Sequence, residues 1–223
     1  MAIVLLKVIG MKRLLVINSS TRMLNSHSRK LTEVFVEHWR SIHADSIIHF
    51  RELGNIDVPH INENWIAAAF KSETMRSDEE MEILKTSNVY VAELVEADII
   101  VLGAPMYNWS IPSSLKAWID QVMRVNETFT VNPADTVHPY TGLLQHKTLF
   151  LLLSSGFDGY EQGGHNEHLN FQSRYLKTVF EFMGITQIHV IAISGASINI
   201  ERYTNTMELA QQSIKELTDL QEA

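Results

Sequence analysis

Asp98-Ile99-Ile100-Val101-Leu102-Gly103-Ala104-Pro105-Met106-Tyr107-Asn108-Trp109 is the stretch that decides the fold of this chain. Its first part is apolar at every position from Ile99 to Leu102, the pattern of a parallel strand covered on both faces. Its second part is a loop, and Pro112 then marks the first turn of a helix. Upstream, Leu14-Leu15-Val16-Ile17 repeats the pattern as a first strand and is bounded by Asn18-Ser19-Ser20. Leu31, Val34, Phe35, His38 and Trp39 then recur at helical spacing, with Ser26 or Ser28 placed to cap the helix start. Residues 46–50 read as a second strand. Residues 60–71 read as a short helix, and Ser77-Asp78-Glu79-Glu80 has the form of a capping box before a long helix reaching Glu96. Downstream, residues 147–153 form a fourth strand that ends in Ser154-Ser155-Gly156. A helix over 168–183 stops at Gly184, residues 188–193 make a fifth strand, and an amphipathic helix over about 201–220 closes the chain. Short apolar strands alternating with helices predict an α/β protein, a doubly wound parallel sheet with helices on both faces. In such a sheet the ligand lies outside the carboxyl ends of the strands.

The 223 residues are 45% hydrophobic and 20% charged, the ordinary balance of a globular domain large enough to be stable without disulfides or a structural metal. The chain has no cysteine, which excludes a thiolate-ligated cluster, a zinc ribbon and a cysteine nucleophile. Any redox chemistry must therefore be borrowed from a bound cofactor. The net charge of −8 and the lack of a basic run argue against nucleic acid as a partner. Residues 1–10, MAIVLLKVIG, are apolar, but Lys7 interrupts them and neither a basic leader region nor a small-residue cleavage site accompanies them. They read as an N-terminal extension of uncertain order before a natural start at Met11, not as a signal peptide or membrane anchor. Residues 11–223 read as a single domain.

Three loops carry the polar signatures. The first runs from Asn18 to Ser28 and lacks both the glycines of a dinucleotide fingerprint and the Lys of a Walker loop. It is rich in hydroxyls and leads into a helix N-terminus, whose free N–H groups and dipole favour a terminal phosphate. The alternative, that these Ser and Asn residues only turn and cap the chain, stays equally open on composition. The second loop places Met106, Tyr107, Asn108 and Trp109 together, a set of apolar walls and amide donors suited to a flat ring such as a flavin. A hydrophobic plug over the sheet end would use the same residues. The third loop, Ser154-Ser155-Gly156-Phe157, could approach the other edge of that ligand, with Gly156 allowing close contact.

Taken together, Asn18-Ser19-Ser20 with Ser26-His27-Ser28, and residues 104–109 with Leu115-Lys116 downstream, resemble the FMN-dependent NADH azoreductases. That family also reduces quinones and has the flavodoxin-like fold. The resemblance runs from about Lys12 to near the end of the chain and implies a five-stranded sheet of order 2-1-3-4-5. It implies Ser20, Ser26, His27 and Ser28 as phosphate-side contacts of FMN, and Met106, Tyr107, Asn108 and Trp109 as contacts to the ring. Ser154, Ser155, Gly156 and Phe157 match the third FMN loop, although Phe157 stands where the family often has a second glycine and Trp109 where Phe is common. The implied activity is a ping-pong cycle in which NADH or NADPH reduces FMN at N5 and leaves before the acceptor binds. Quinones then become hydroquinones by two-electron transfer and azo compounds are cleaved to amines, with no side chain required as acid or base. The resemblance further implies a cytoplasmic homodimer, in keeping with the apolar surplus around Trp65 and Phe70.

Two residues outside the loops bear on substrate. Phe129, in a long mixed segment over 129–140, is a lid candidate, with an ordinary core anchor as the alternative. His168 is a candidate for the acceptor pocket. With His165 it brings metal-ligand types together, but no HExxH pattern or third ligand accompanies them, so no metal is expected. Two other readings compete with the enzyme: a flavodoxin-like electron carrier, and a reductase that releases reduced FMN as product.

Overall fold

The computed structural model describes residues 11–222, so the expected extension over residues 1–10 lies outside the described residues. Four of the five long strands follow the apolar runs: β1 (Arg13–Asn18), β3 (Ile99–Pro105), β6 (Thr148–Ser154) and β7 (Gln187–Ile193). β2 (Ile47–Glu52) alternates only weakly because it lies on the sheet edge, where most of its residues stay at least partly exposed. All pairings are parallel and the order is β2-β1-β3-β6-β7, which is the expected 2-1-3-4-5 order once a small hairpin is set aside.

The pleat sorts side chains to two cores. Leu15, Ile17, Ile100, Leu102, Leu149, Leu151 and Leu153 face one side, beneath α3 (Asp78–Glu96), α4 (Ser113–Val122) and α5 (Phe171–Phe182). Leu14, Val16, Ile99, Val101, Phe150, Leu152, Ile191 and Ile193 face the other, beneath α1 (His27–Ile42) and α6 (Ile200–Asp219). Each residue of β3 and β6 is buried, which explains why these two runs carry no polar residue between Ile99 and Leu102 or between Leu149 and Leu153.

Helix ends follow their chemistry. Ser26 caps α1, its Oγ accepting from the Arg29 N–H. Ser77 and Glu80 complete the capping box of α3. Gly184 follows α5 at φ 102°, the left-handed turn that suits glycine past a helix end. The short α2 (Glu63–Phe70) packs on α3 through Trp65, Ala68, Ala69 and Leu84. Trp65 is thus a core residue, its indole N–H donating to Gln121 Oε1 at 2.9 Å, whereas Phe70 is 73% exposed.

The segment over 129–140 is not a structureless loop. It contains the antiparallel hairpin β4 (Phe129–Val131) and β5 (Tyr140–Gly142), whose connection is closed by Asp135 accepting from the N–H groups of Val137 and His138. β5 lies against the C-terminal end of α5, where a side chain on Gly142 would collide with Met183 and Gly184. Among the described residues no helix is long and apolar enough to cross a membrane.

On β7, His189 stacks on Phe150 at 5.0 Å between ring centroids, and burial holds its pKa below the usual 6.5. The unfolded chain therefore takes up this proton first as pH falls through 6.5, so the contribution of His189 is present above that pH and is lost below it. We expect the stability of wild type to fall between pH 7 and 5 and that of His189→Phe to fall less, as read from urea unfolding at each pH. Equal slopes would contradict this assignment.

Candidate functional site

The loops after β1, β3 and β6 meet at the carboxyl edge of the sheet, and three contacts bind them together. Ser19 donates from both its N–H (3.0 Å) and its Oγ (2.9 Å) to the Gly103 carbonyl. Thr21 Oγ1 and the Tyr107 hydroxyl lie 3.0 Å apart. The Met106 N–H donates to the Ser154 carbonyl at 2.7 Å.

The first loop is held from below by a residue with no role in the sequence reading. Arg29, on the first turns of α1, forms a bidentate pair with Glu52 at the end of β2, both N–H···O distances being 2.6 Å. The same guanidinium donates to the carbonyls of Ser20 (2.7 Å) and Arg22 (3.1 Å). Glu52 also accepts from the Gly54 N–H at 2.6 Å, and a Cβ on Gly54 would fall onto the Ser20 carbonyl. Planar, charge-assisted and shielded, this clamp fixes the backbone from Ser20 to Arg22.

At the mouth of that loop, the N–H groups of His27 and Ser28 have no protein acceptor among the described residues. Ser26 and Ser28 are buried with their hydroxyls 3.3 Å apart, so Ser28 contributes its N–H to the edge more readily than its side chain. The His27 Nδ1 lies 2.8 Å from the Tyr203 hydroxyl, which α6 supplies, and the two rings meet edge to face. Burial, then the positive charges of Lys30 and Arg22, press the His27 pKa below 6.5 and keep the ring neutral at pH 7. Those same cations and the open N–H groups of a helix start are the donor set that a phosphate dianion requires. Ser20 is buried, and its Oγ accepts from the Arg22 N–H at 3.3 Å.

The second loop is a tight turn. Tyr107 and Ser110 exchange reciprocal N–H···O=C bonds of 3.0 Å, and between them Asn108 (φ 48°) and Trp109 (φ 64°) are both left-handed. Two successive positive φ values belong to a type I′ turn, which glycine and asparagine favour. Trp109 adopts it at a cost on the order of 1 kcal/mol. Neither the Asn108 nor the Trp109 N–H has a protein acceptor among the described residues, so the strained turn presents donors at the sheet edge. Trp109 is 51% exposed. This turn, the neighbouring Met106 and Tyr107, and the α1 start fit a flat ring bearing a terminal phosphate.

In the third loop, Ser155 Oγ donates to the Phe157 carbonyl at 2.7 Å, and Phe157 is exposed. The close approach that Gly156 permits is made by the protein itself: Ser197, in the loop after β7, donates its N–H to the Gly156 carbonyl, and a Cβ would strike the Ser197 side chain. Gly156 is thus fixed against the loop after β7 by Ser197. Ser154 lies at the end of β6 and is buried.

The two candidate substrate residues part company. His168 sits in an exposed 3-10 turn of the loop between β6 and α5, on the same side of the sheet as the site. No group of three potential metal ligands stands together among the described residues. Phe129 is at the opposite end of the sheet, packed on Phe182 (4.9 Å) and Tyr140 (6.2 Å) near the C-terminus of α5. Within one chain it is a core anchor of the hairpin and does not cover the loops.

A family model described as the flavodoxin-like fold matches residues 12–217. The FMN-dependent NADH:quinone oxidoreductase of Nostoc punctiforme is 39% identical over 201 residues, covering 90% of this chain and 94% of that protein. The FMN-dependent NAD(P)H:quinone oxidoreductase 1 of Pseudomonas aeruginosa is 34% identical, covering 92% and 97%. Among solved structures, an azoreductase from Bacillus anthracis superposes with a TM-score of 0.83 at 22% identity, over 93% of this chain and 99% of that one. An FMN-dependent NADH-azoreductase from the same species, crystallised in complex with FMN, gives 0.80 at 24% identity, over 94% and 98%. The structural likeness carries the fold, and the sequence likeness carries descent: this chain belongs to the flavodoxin-like family that includes the FMN-dependent NADH:quinone oxidoreductases.

Proposed function

We propose that this protein is a cytoplasmic FMN-dependent NAD(P)H oxidoreductase that reduces quinones to hydroquinones and cleaves aromatic azo compounds, using one FMN site in the domain over residues 11–223. The observation that carries the reading is the pairing of an open, cation-flanked α1 start with the left-handed Asn108–Trp109 turn at the same sheet edge. Bound there, FMN would supply the two-electron chemistry that a chain without cysteine lacks.

The residues divide the remaining work. The N–H groups of His27 and Ser28, with the Ser26 hydroxyl, would hold the phosphate, while Ser20 shapes the loop through the Arg29 clamp. Asn108 and the N–H of Trp109 would orient the ring edge. Met106, Tyr107 and Trp109 would exclude water from one side, and Ser154, Ser155 and Phe157 would border the other. His168 stands on the acceptor side. Neutral His27 is tied to Tyr203 and serves position, not proton transfer.

The family resemblance also supports a homodimer, and Phe70 and Met75, each 73% exposed beside α3, offer an apolar patch for it. Sedimentation equilibrium is expected to return twice the chain mass, and Phe70→Asp to weaken the association. A wild-type monomer at every concentration would refute this part of the reading.

The enzyme reading is tested by the absorbance of the purified protein, supplied with FMN if needed, during addition of NADH or NADPH and then benzoquinone. Flavin bands should bleach with the nicotinamide and return with the quinone, repeatedly. Bleaching only with an artificial one-electron donor would favour the carrier, and no flavin binding would refute both. Arg29→Met should fold but bind FMN about tenfold more weakly, about 1.4 kcal/mol, because the Ser20 loop is no longer held. Unchanged affinity in a fluorescence titration would remove the clamp from the site.

A further inference from the structure

The first turn of α6 reaches two of the three loops at once. Asn199 caps it, the side chain accepting from the Arg202 N–H at 2.9 Å, and Thr206 Oγ1 accepts from the Ser194 N–H at 3.3 Å. Arg202 pairs with Asp158 (3.2 Å) and Glu161 (2.9 Å) in the loop between β6 and α5. The next residue, Tyr203, reaches the first loop instead. Its hydroxyl lies 2.8 Å from His27 Nδ1 at the start of α1, and its ring meets the imidazole edge to face at 4.6 Å between centroids. Tyr203 also packs against the core beneath α1 and α6, which limits the freedom of the phenol.

The chemistry of that contact bears on where His27 carries its proton. A neutral imidazole has one N–H and one lone pair, and a phenol donates more strongly than it accepts. The Tyr203 hydroxyl has no other protein partner among the described residues. The stronger arrangement has the phenol donating to Nδ1, which leaves the ring proton on Nε2. Nε2 lies on the other edge of the imidazole from the phenol and has no protein partner among the described residues. Arg22 from the first loop and Lys30 from α1 supply positive charge around the ring, α6 supplies a neutral phenol, and no carboxylate pairs with His27 among the described residues. The residue whose backbone N–H is open at the α1 start thus has a second donor in its side chain.

We propose that Tyr203 is a positioning residue for phosphate recognition: it holds the His27 ring in place and in the Nε2–H tautomer, so that this N–H donates to the phosphate monoester of FMN and the site discriminates FMN from riboflavin. The assignment rests on the FMN reading for its ligand and adds to it a residue outside the three loops. Without the Tyr203 hydroxyl the imidazole can turn, or can present a lone pair at Nε2 that repels an anion. The second loop, which would hold the ring system, makes no use of Tyr203. Its hydroxyl therefore bears on the phosphate-bearing ligand and not on flavin binding in general.

Fluorescence titration of the full chain, freed of flavin, with FMN and with riboflavin tests this. Tyr203→Phe keeps the ring contact and removes the hydroxyl. It should lower the ratio of FMN to riboflavin affinity about fivefold while riboflavin binds as in wild type. In a His27→Ala background the same substitution should leave the ratio where His27→Ala puts it, as expected of two residues that act as a pair. A merely structural role would weaken both flavins alike, and that result, or an unchanged ratio, overturns the proposal. Independently of any flavin, the His27 ring signals, identified by their loss in His27→Ala, are followed by NMR against pH with inorganic phosphate or with sodium chloride at equal ionic strength. Burial and the flanking cations hold the His27 pKa of the free protein below 6.5. Phosphate should raise it in wild type, because a nearby dianion favours the imidazolium, and should raise it less in Tyr203→Phe. A His27 pKa that phosphate leaves unmoved, or moves equally in both proteins, overturns the proposal whether or not FMN binds. If wild type binds neither flavin while phosphate acts as expected, the flavin reading fails and the assignment of Tyr203 and His27 to phosphate recognition stands.

Discussion

Complete burial of β3 and β6 on both faces constrains everything else in this molecule. A strand covered on two sides has no room for a polar side chain, because each buried polar group would need a partner that the apolar cores do not supply. Polar chemistry is displaced to the strand ends. At the amino ends the chain arrives from helices whose C-termini present carbonyls, whereas at the carboxyl ends it leaves toward helix N-termini that present N–H groups. The site for an anionic ligand is therefore set at the carboxyl edge by topology, before any particular residue is chosen. Ser19, Met106 and Ser154 then stitch adjacent loops together across that edge.

Edge loops are ordinarily the softest part of a sheet protein. Here two devices stiffen them. The Arg29–Glu52 clamp gathers the ends of β1 and β2 and the start of α1 around one guanidinium. The Tyr107–Ser110 turn holds two left-handed residues, of which only Trp109 is strained, and is closed by reciprocal hydrogen bonds. Donors fixed in this way do not have to be ordered when a ligand arrives, so less of the binding energy goes to conformational entropy. A bound ligand in turn stabilises the folded state by mass action, which offsets the cost of leaving these N–H groups without protein partners.

How much of this could be read from the sequence follows from the range of the interactions. β1, β3 and β6 were legible because double coverage writes itself as an uninterrupted apolar run. The Ser26 and Ser77 caps were legible because capping is local. The three loops could be named as a candidate site because topology alone brings them together. The Arg29–Glu52 clamp could not be read: an arginine on a helix and a glutamate ending a strand are generic until the fold brings them within 2.6 Å. The positive φ of Trp109 was hidden for the opposite reason, since tryptophan is among the residues least expected there. The hairpin over 129–142 escaped because its strands are three residues long and its aromatic support, Phe182, comes from a distant helix. The place of Phe129 was recoverable, however. A helix that follows β3 returns the chain to the amino ends of the strands, so a residue soon after α4 cannot cover a site at the carboxyl ends of its own sheet.

That geometry bears on why self-association and activity would be linked in such a protein. One chain would supply a floor and one wall to a ligand at the sheet edge, through the turn at Asn108 and Trp109, but leaves Trp109, Phe157 and Phe171 each at least half exposed there. Exposed aromatic rings at a site rim are unfavourable in water and favourable when another surface covers them. In the proposed dimer, the segment carrying Phe129 and Tyr140, remote from its own carboxyl edge, would be placed to serve the neighbouring chain.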